Sequence, residues 1–168
     1  MTRHGEIVTA GDVCIDTYVD GHGPVVLIVP SYGRDGGADF DSLTAALVRT
    51  GYRVLRPLPR GIARSTGPMG GVTFEDTARD IASVIDHLAD GSAVVLGHAF
   101  DNFVARATAV HHPEKVTAVI LAPASEKTVA PEVNAAPMLA GDPSLPDITR
   151  LAALRLAFSH PATTLQCG

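Results

Sequence analysis

The residues best equipped for chemistry fall where apolar runs end. Ser31, Tyr32 and Arg34 follow Val25-Val26-Leu27-Ile28-Val29, and Arg60 and Arg64 follow the short run Arg53 to Leu55. His98 and Asp101 flank Ala99 after Ala93-Val94-Val95-Leu96, while Ser125 and Glu126 lie beyond Val116 to Leu121. Hydroxyl and carboxylate groups attack electrophilic carbon, imidazoles move protons, and guanidinium groups such as those of Arg34 and Arg60 hold anions. Each also has a plainer use, because loop hydroxyls satisfy nearby backbone and exposed arginines are commonly solvated charges. Gly33, Gly36 and Gly37 hint at a phosphate loop, yet the chain contains neither G-x-G-x-x-G nor G-x-x-x-x-G-K-[ST]. Cys14 and Cys167 have no metal-ligand spacing, and no cofactor is implied.

These groups need elements to position them. Ile7-Val8 and then Val13, Ile15, Thr17 and Val19 alternate around Ala10-Gly11-Asp12, which predicts an antiparallel hairpin. The uninterrupted run Val25 to Val29 predicts a strand covered on both faces. Asp39 or Asp41 is positioned to cap a helix through Leu43, Ala46, Leu47 and Val48, with Gly51 as its stop. Thr73-Phe74-Glu75-Asp76 has the form of a capping box and opens a helix with Ile81, Val84, Ile85 and Leu88 on one face. Another helix runs from about Phe100 to His111 and stops before Pro113. After Pro123 the rhythm fails among Pro131, Pro137, Pro143 and Pro146, and only Asp147 to Phe158 keeps a helical pattern. Strands alternating with helices after an antiparallel start predict an α/β fold, a mostly parallel sheet with helices on both faces.

Thirteen basic residues against eighteen acidic give a net charge of -5 with no basic cluster, which argues against nucleic acid as a partner. No apolar stretch is long enough to span or anchor in a membrane, and the first residues carry no signal-peptide pattern, so a cytoplasmic protein is expected. Apolar residues make up 46% of the chain and charged residues 18%, a balance that supports a packed domain over disorder.

The turn Leu96-Gly97-His98-Ala99-Phe100-Asp101-Asn102 joins a buried strand to a helix, where α/β-hydrolases carry Gly-x-Ser-x-Gly. Pro30-Ser31-Tyr32-Gly33-Arg34 resembles that family's oxyanion loop, and Arg60-Gly61-Ile62-Ala63-Arg64-Ser65 resembles its Arg-Gly-x-Gly-x-Ser turn. Val104-Ala105-Arg106-Ala107 and His112-Pro113-Glu114-Lys115-Val116 look like its post-elbow helix and the entry to its next strand. The resemblance covers roughly residues 1 to 125, read as the hydrolase-like core, with 126–168 as the proline-broken start of a lid. It implies the N-terminal part of the fold, with the C-terminal part missing.

By that resemblance Ala99 stands at the nucleophile position, and a serine hydrolase there lacks its attacking atom. The backbone N-H of Phe100, paired with Tyr32, is where the family stabilises an oxyanion. Asp101 is two positions from the tip and is read as capping the following helix or meeting its dipole, in preference to acting as a nucleophile. His98 is read as packing beside the turn. His160, the one histidine after His112, follows the lid-like segment and matches the family's base poorly. Three functions stay open: a protein with a small-molecule pocket and no serine hydrolysis, an enzyme of the same fold running lyase or proton-transfer chemistry, and an unrelated flavodoxin-like binding domain. In the family the strand Val116 to Leu121 is interior, so its exposure here implies a homo-oligomer joined near that edge.

Overall fold

In a computed structural model, which describes residues 4–30, 38–124 and 131–158, the chain divides into two compact units, 1–125 and 126–168. The first is built on a six-stranded sheet in the order β1-β2-β4-β3-β5-β6. Its strands are β1 (His4–Ala10), β2 (Val13–Asp20), β3 (Val25–Val29), β4 (Arg53–Pro57), β5 (Ala93–Ala99) and β6 (Val116–Ala124). The hairpin β1-β2 is antiparallel and β2 pairs antiparallel with β4, whereas β4, β3, β5 and β6 run parallel.

All five residues of β3 are buried because helices cover both faces of the sheet. Val25, Leu27 and Val29 meet Ile81, Val84 and Ile85 of α2 (Phe74–Leu88) and Val104 and Ala105 of α3 (Asn102–His111). The alternate residues Val26 and Ile28 face Phe40 and the Leu47 and Val48 side chains of α1 (Asp41–Arg49). A period of two thus divides one apolar run between two cores. Leu27, Ile28, Val54 and Leu55 are all fully buried, each contributing about 1.5–3 kcal/mol of transfer free energy.

The capping box at Thr73 forms as its residues require. The Thr73 side chain accepts from the Asp76 N-H, and the Asp76 carboxylate accepts from the Thr73 N-H. These bonds, the Thr73 hydroxyl first among them, hold the Asp76 carboxyl down at about 2. The start of α1 differs from expectation, since Phe40 is the N-cap residue and makes no side-chain cap bond. Asp41 instead accepts from Arg56, whose guanidinium is 2% exposed and also donates to Asp20 at 2.7 Å. A buried guanidinium needs carboxylate partners more than a surface helix needs a cap. Gly51 does close α1, at a φ of 89° that suits glycine.

The strand β6 forms one edge of the sheet. Its Val116 and Val119 pack against the core, while Ile120 and Leu121 are 45% and 39% exposed. In the second unit, α5 (Asp147–Phe158) spans the expected helix, and a further helix, α4 (Pro131–Gly141), forms despite its prolines. Pro131 is the first helical residue, where no N-H is needed, and Pro137 gives up one internal hydrogen bond. The two helices pack on each other, and Ala136 and Ala153 are buried. Among the described residues no helix is long and apolar enough to cross a membrane.

Candidate functional site

Parallel strands place their carboxyl ends along one edge of the sheet, and the junction of β5 and α3 lies there. Gly97 makes the junction sterically feasible. A Cβ at that position would lie 2.5 Å from the Asp101 carbonyl oxygen, 2.7 Å from the Asn102 Cα and 2.8 Å from the Ala105 Cβ. Strand and helix therefore approach too closely for any side chain. Two residues on, Ala99 has a φ of 51°, in the left-handed region that costs a non-glycine residue about 1 kcal/mol or more. The surrounding bonds hold it there: Asp101 N-H donates to the His98 carbonyl at 3.0 Å, and the Asn102 side-chain amide donates to the Ala99 carbonyl at 2.5 Å.

The side chains about this turn have separate settings. His98 meets Phe40 edge to face at 5.3 Å between ring centroids, and its Nδ1 is buried without a hydrogen-bond partner. It is packed beside the turn. Phe100 is 45% exposed and its ring lies 5.8 Å from Phe74 and 5.7 Å from Phe103, forming a three-ring cluster beside Ala99. Asp101 is the N-cap residue of α3 but makes no side-chain bond to the helix, so the capping read from the sequence is not formed. Its side chain turns inward instead, leaving the residue 7% exposed, and burial pushes its carboxyl up to about 7. Ser31, Tyr32, Arg34, Ser125, Glu126 and His160 lie outside the described residues.

The Arg-Gly-x-Gly-x-Ser-like turn is structural. Arg60 is not a solvated loop charge: it binds Asp80 through two nitrogens at 2.7 and 2.8 Å and donates its third to the Pro68 carbonyl. Three of its five N-H donors are thereby engaged within the protein. Arg64 makes a similar paired contact with Asp16, and the Ser65 hydroxyl links the Leu58 carbonyl to the Asp16 N-H. Ala63 adopts a φ of 49° where the resembling turn has glycine. A polar cavity of about 350 Å³ opens between the β1-β2 turn, residues 68–72 and the start of α2, with Asp12, Arg60, Asp76 and Arg79 among its walls. No residue of the β5-α3 turn lines it. Among the described residues, no three His, Cys, Asp or Glu side chains stand together as metal ligands do.

Asn102 was not legible as a site residue, although it is fully buried and braces Ala99 through its amide. An amide three residues beyond the tip of a strand-helix turn is the signal that would have found it. Phe74 likewise joins Phe100 only through the docking of α2 against α3.

This strained turn after a parallel strand, with small residues where the helix crosses it, is the geometry of a nucleophile elbow. Residues 24–160 match the model of the α/β hydrolase fold family. The chain belongs to that family. It is 31% identical over 110 residues to a putative carbamate hydrolase, RutD, of Variovorax paradoxus (strain S110), covering 63% of this chain and 41% of that protein. It is 25% identical over 119 residues to the mitochondrial palmitoyl-protein thioesterase ABHD10 of Homo sapiens, covering 70% of this chain and 39% of that one. In three dimensions it resembles a hydrolase from Pseudomonas aeruginosa PA01, with a TM-score of 0.69 at 24% identity over 94% of this chain and 63% of the other. The chain thus spans about two fifths of the length of these two curated relatives.

Proposed function

We propose that this chain descends from ester- or lactone-type hydrolases, lacks serine-hydrolase activity and retains a small-molecule site at the turn between β5 and α3. The observation that carries this reading is Ala99, a residue without a reactive atom at a φ of 51°. Strain of this kind persists only where the surrounding structure imposes it. The elbow geometry is therefore kept although no nucleophile occupies it. In this reading the Phe100 N-H donates to a ligand oxygen, and Tyr32, Ser31 and Arg34 are assigned to ligand binding on the resemblance of residues 30–34 to the family's oxyanion loop. Phe74, Phe100 and Phe103 offer apolar surface beside the turn. Residues 126–168 are assigned to the beginning of a lid.

One relative is named a putative carbamate hydrolase and another a palmitoyl-protein thioesterase, and carbamates and thioesters both carry a carbonyl, which favours a carbonyl-bearing ligand. A thermal-shift panel of acyl esters, carbamates, lactones and nucleotides tests this. A ligand at one hundred times its Kd adds about 2.7 kcal/mol to stability. Stabilisation by carbonyl compounds and not by nucleotides is expected, with loss of the shift on Phe100→Ala. Stabilisation by nucleotides alone would overturn the reading in favour of a phosphate site.

The same reading includes self-association along β6. The segment Val116–Ala124 carries no charged side chain, and edge strands without charges or covering elements are prone to pair. Light scattering on the purified chain is expected to give a dimer or higher oligomer that Ile120→Lys returns to the monomer. A monodisperse monomer at high micromolar concentration, with slow amide exchange across 116–121, would show that the chain protects this edge itself.

A further inference from the structure

Aspartate is among the best N-cap residues, because its carboxylate accepts from the N-H two or three positions into the helix. Thr73 shows this arrangement in the same chain, with an extended backbone at φ -97° and ψ 169° and both bonds of the capping box formed. Asp101 occupies the equivalent position of α3 with φ -76° and ψ 6°, and makes no cap bond. At that ψ its side chain does not engage the helix. Instead the residue is 7% exposed, packed where Gly97 allows the strand and helix to touch.

Among the described residues nothing charged joins it there. The elements packed against α3 are α2, β3, β5, β6 and the 3-10 turn Pro113–Lys115. On α2, Arg79 is held by Glu75 and Asp76, Asp80 by Arg60, and Asp86 by Lys115 of the 3-10 turn, while His87 contacts the Ser83 carbonyl. Glu114 lies on that turn, and β3 and β6 contribute no ionisable side chain. His98 of β5 faces Phe40, and on α3 itself Arg106 lies over Phe103 and His111 is in the last turn. Among the described residues none of these groups bonds or pairs with the Asp101 carboxyl. A neutral acid tolerates such a setting, but an unpaired carboxylate does not.

We propose that the β5-α3 turn has two arrangements, one with the Asp101 side chain turned inward and one with its carboxylate capping α3, and that protonation of Asp101 selects between them. Loss of the proton makes the interior site unfavourable and makes the helix N-terminus attractive, through both its N-H groups and its dipole. Phe103 N-H already donates to the Phe100 carbonyl. The N-H of Val104, the third helical residue, is therefore the expected target. Reaching it requires Asp101 to leave ψ 6° for an extended value like that of Thr73. That rotation moves the peptide whose carbonyl packs on Gly97, so the turn carrying Ala99 moves with it.

The sign of the effect on stability follows. The folded carboxyl holds its proton up to about 7, against 3.8 for an ordinary aspartate. Between those limits the folded chain binds more protons than the unfolded chain, so stability falls as pH rises and levels off above the upper limit. The unfolding constant rises by at most about tenfold per pH unit across this window.

The test is a titration of the full chain, labelled with 13C and 15N, from pH 5 to 9, following the Asp101 carboxyl carbon and the Val104 amide, with urea unfolding in parallel. The expected result is one midpoint near neutrality for both resonances. Asp101→Asn should leave the Val104 amide unmoved and remove the corresponding slope in stability. Asp101→Ser, which caps without titrating, should hold that amide at its high-pH position throughout. Titration of the carboxyl in the ordinary aspartate range would overturn the proposal. So would a near-neutral carboxyl titration with a stationary Val104 amide, or amide movement that persists in Asp101→Asn and thereby belongs to a histidine such as His98. If the asparagine variant does not fold, the native titration and the serine variant decide the matter.

Discussion

Short acyl esters should be turned over by the purified chain no faster than by a heat-killed control. On the proposed reading the turn presents Ala99 where the attack would begin, and a methyl group has no lone pair to offer. In a serine hydrolase, removal of the nucleophile lowers kcat by on the order of a millionfold, equivalent to about 8 kcal/mol of transition-state stabilisation. What remains in such a site is binding and oxyanion stabilisation, which give far slower turnover. Initial rates with nitrophenyl acetate and butyrate over a range of substrate concentrations provide the check. Saturable hydrolysis would overturn the loss of activity. If it also survived Ser31→Ala and Ser125→Ala, the reacting group would lie outside the serines found at the strand ends.

Gly97→Ala should destabilise the chain by about 3 kcal/mol, towards the upper end of what overpacking costs. The new Cβ would meet the Asp101 carbonyl oxygen, the Asn102 Cα and the Ala105 Cβ at 2.5–2.8 Å. Two of these are backbone atoms and the third is attached directly to one. None can rotate aside, so α3 must move away from β5. Movement of α3 also disturbs the Asn102 bond that braces Ala99, and the loss should therefore extend to any ligand-induced thermal shift. Gly70→Ala is the matching control, since a Cβ there meets nothing within 4 Å. For a chain of this size the expected difference in Tm is roughly 6–12 °C. Equal stability of the two variants would show that the helix can shift freely and that the close contact is not what fixes the turn.

Local interactions made much of the fold legible from residue types alone. The apolar run of β3 requires cover on both faces, and Thr73 with Asp76 supplies both halves of a cap within four residues. The spacing Gly97-x-Ala99 after a buried strand placed the elbow only together with the resembling segments at 30–34, 60–65, 104–107 and 112–116, and Gly97 is where the close crossing of backbones needs a missing side chain. The residue at its tip, Ala99, is likewise read directly from the sequence.

Tertiary structure decided the features whose partners are far away along the chain. Asp41 lost its capping role to Arg56, fifteen positions later, and Arg60 became a partly buried structural ion through Asp80, twenty positions later. The helix α4 formed over a segment whose prolines argued against it, where packing with α5 offsets the missing hydrogen bond. Asp101 is the clearest case. Its residue type and position favour a helix cap, a local and exposed role, whereas the approach of α3 to β5 buries it, and that burial pushes its carboxyl up to about 7. The sequence by itself determined that a tight strand-helix turn would form after β5 and that Ala99 would stand at its tip, since both depend on residues adjacent in the chain. Whether the neighbouring carboxyl faces water or the interior depended on how two elements dock, and desolvation acts only after they have done so.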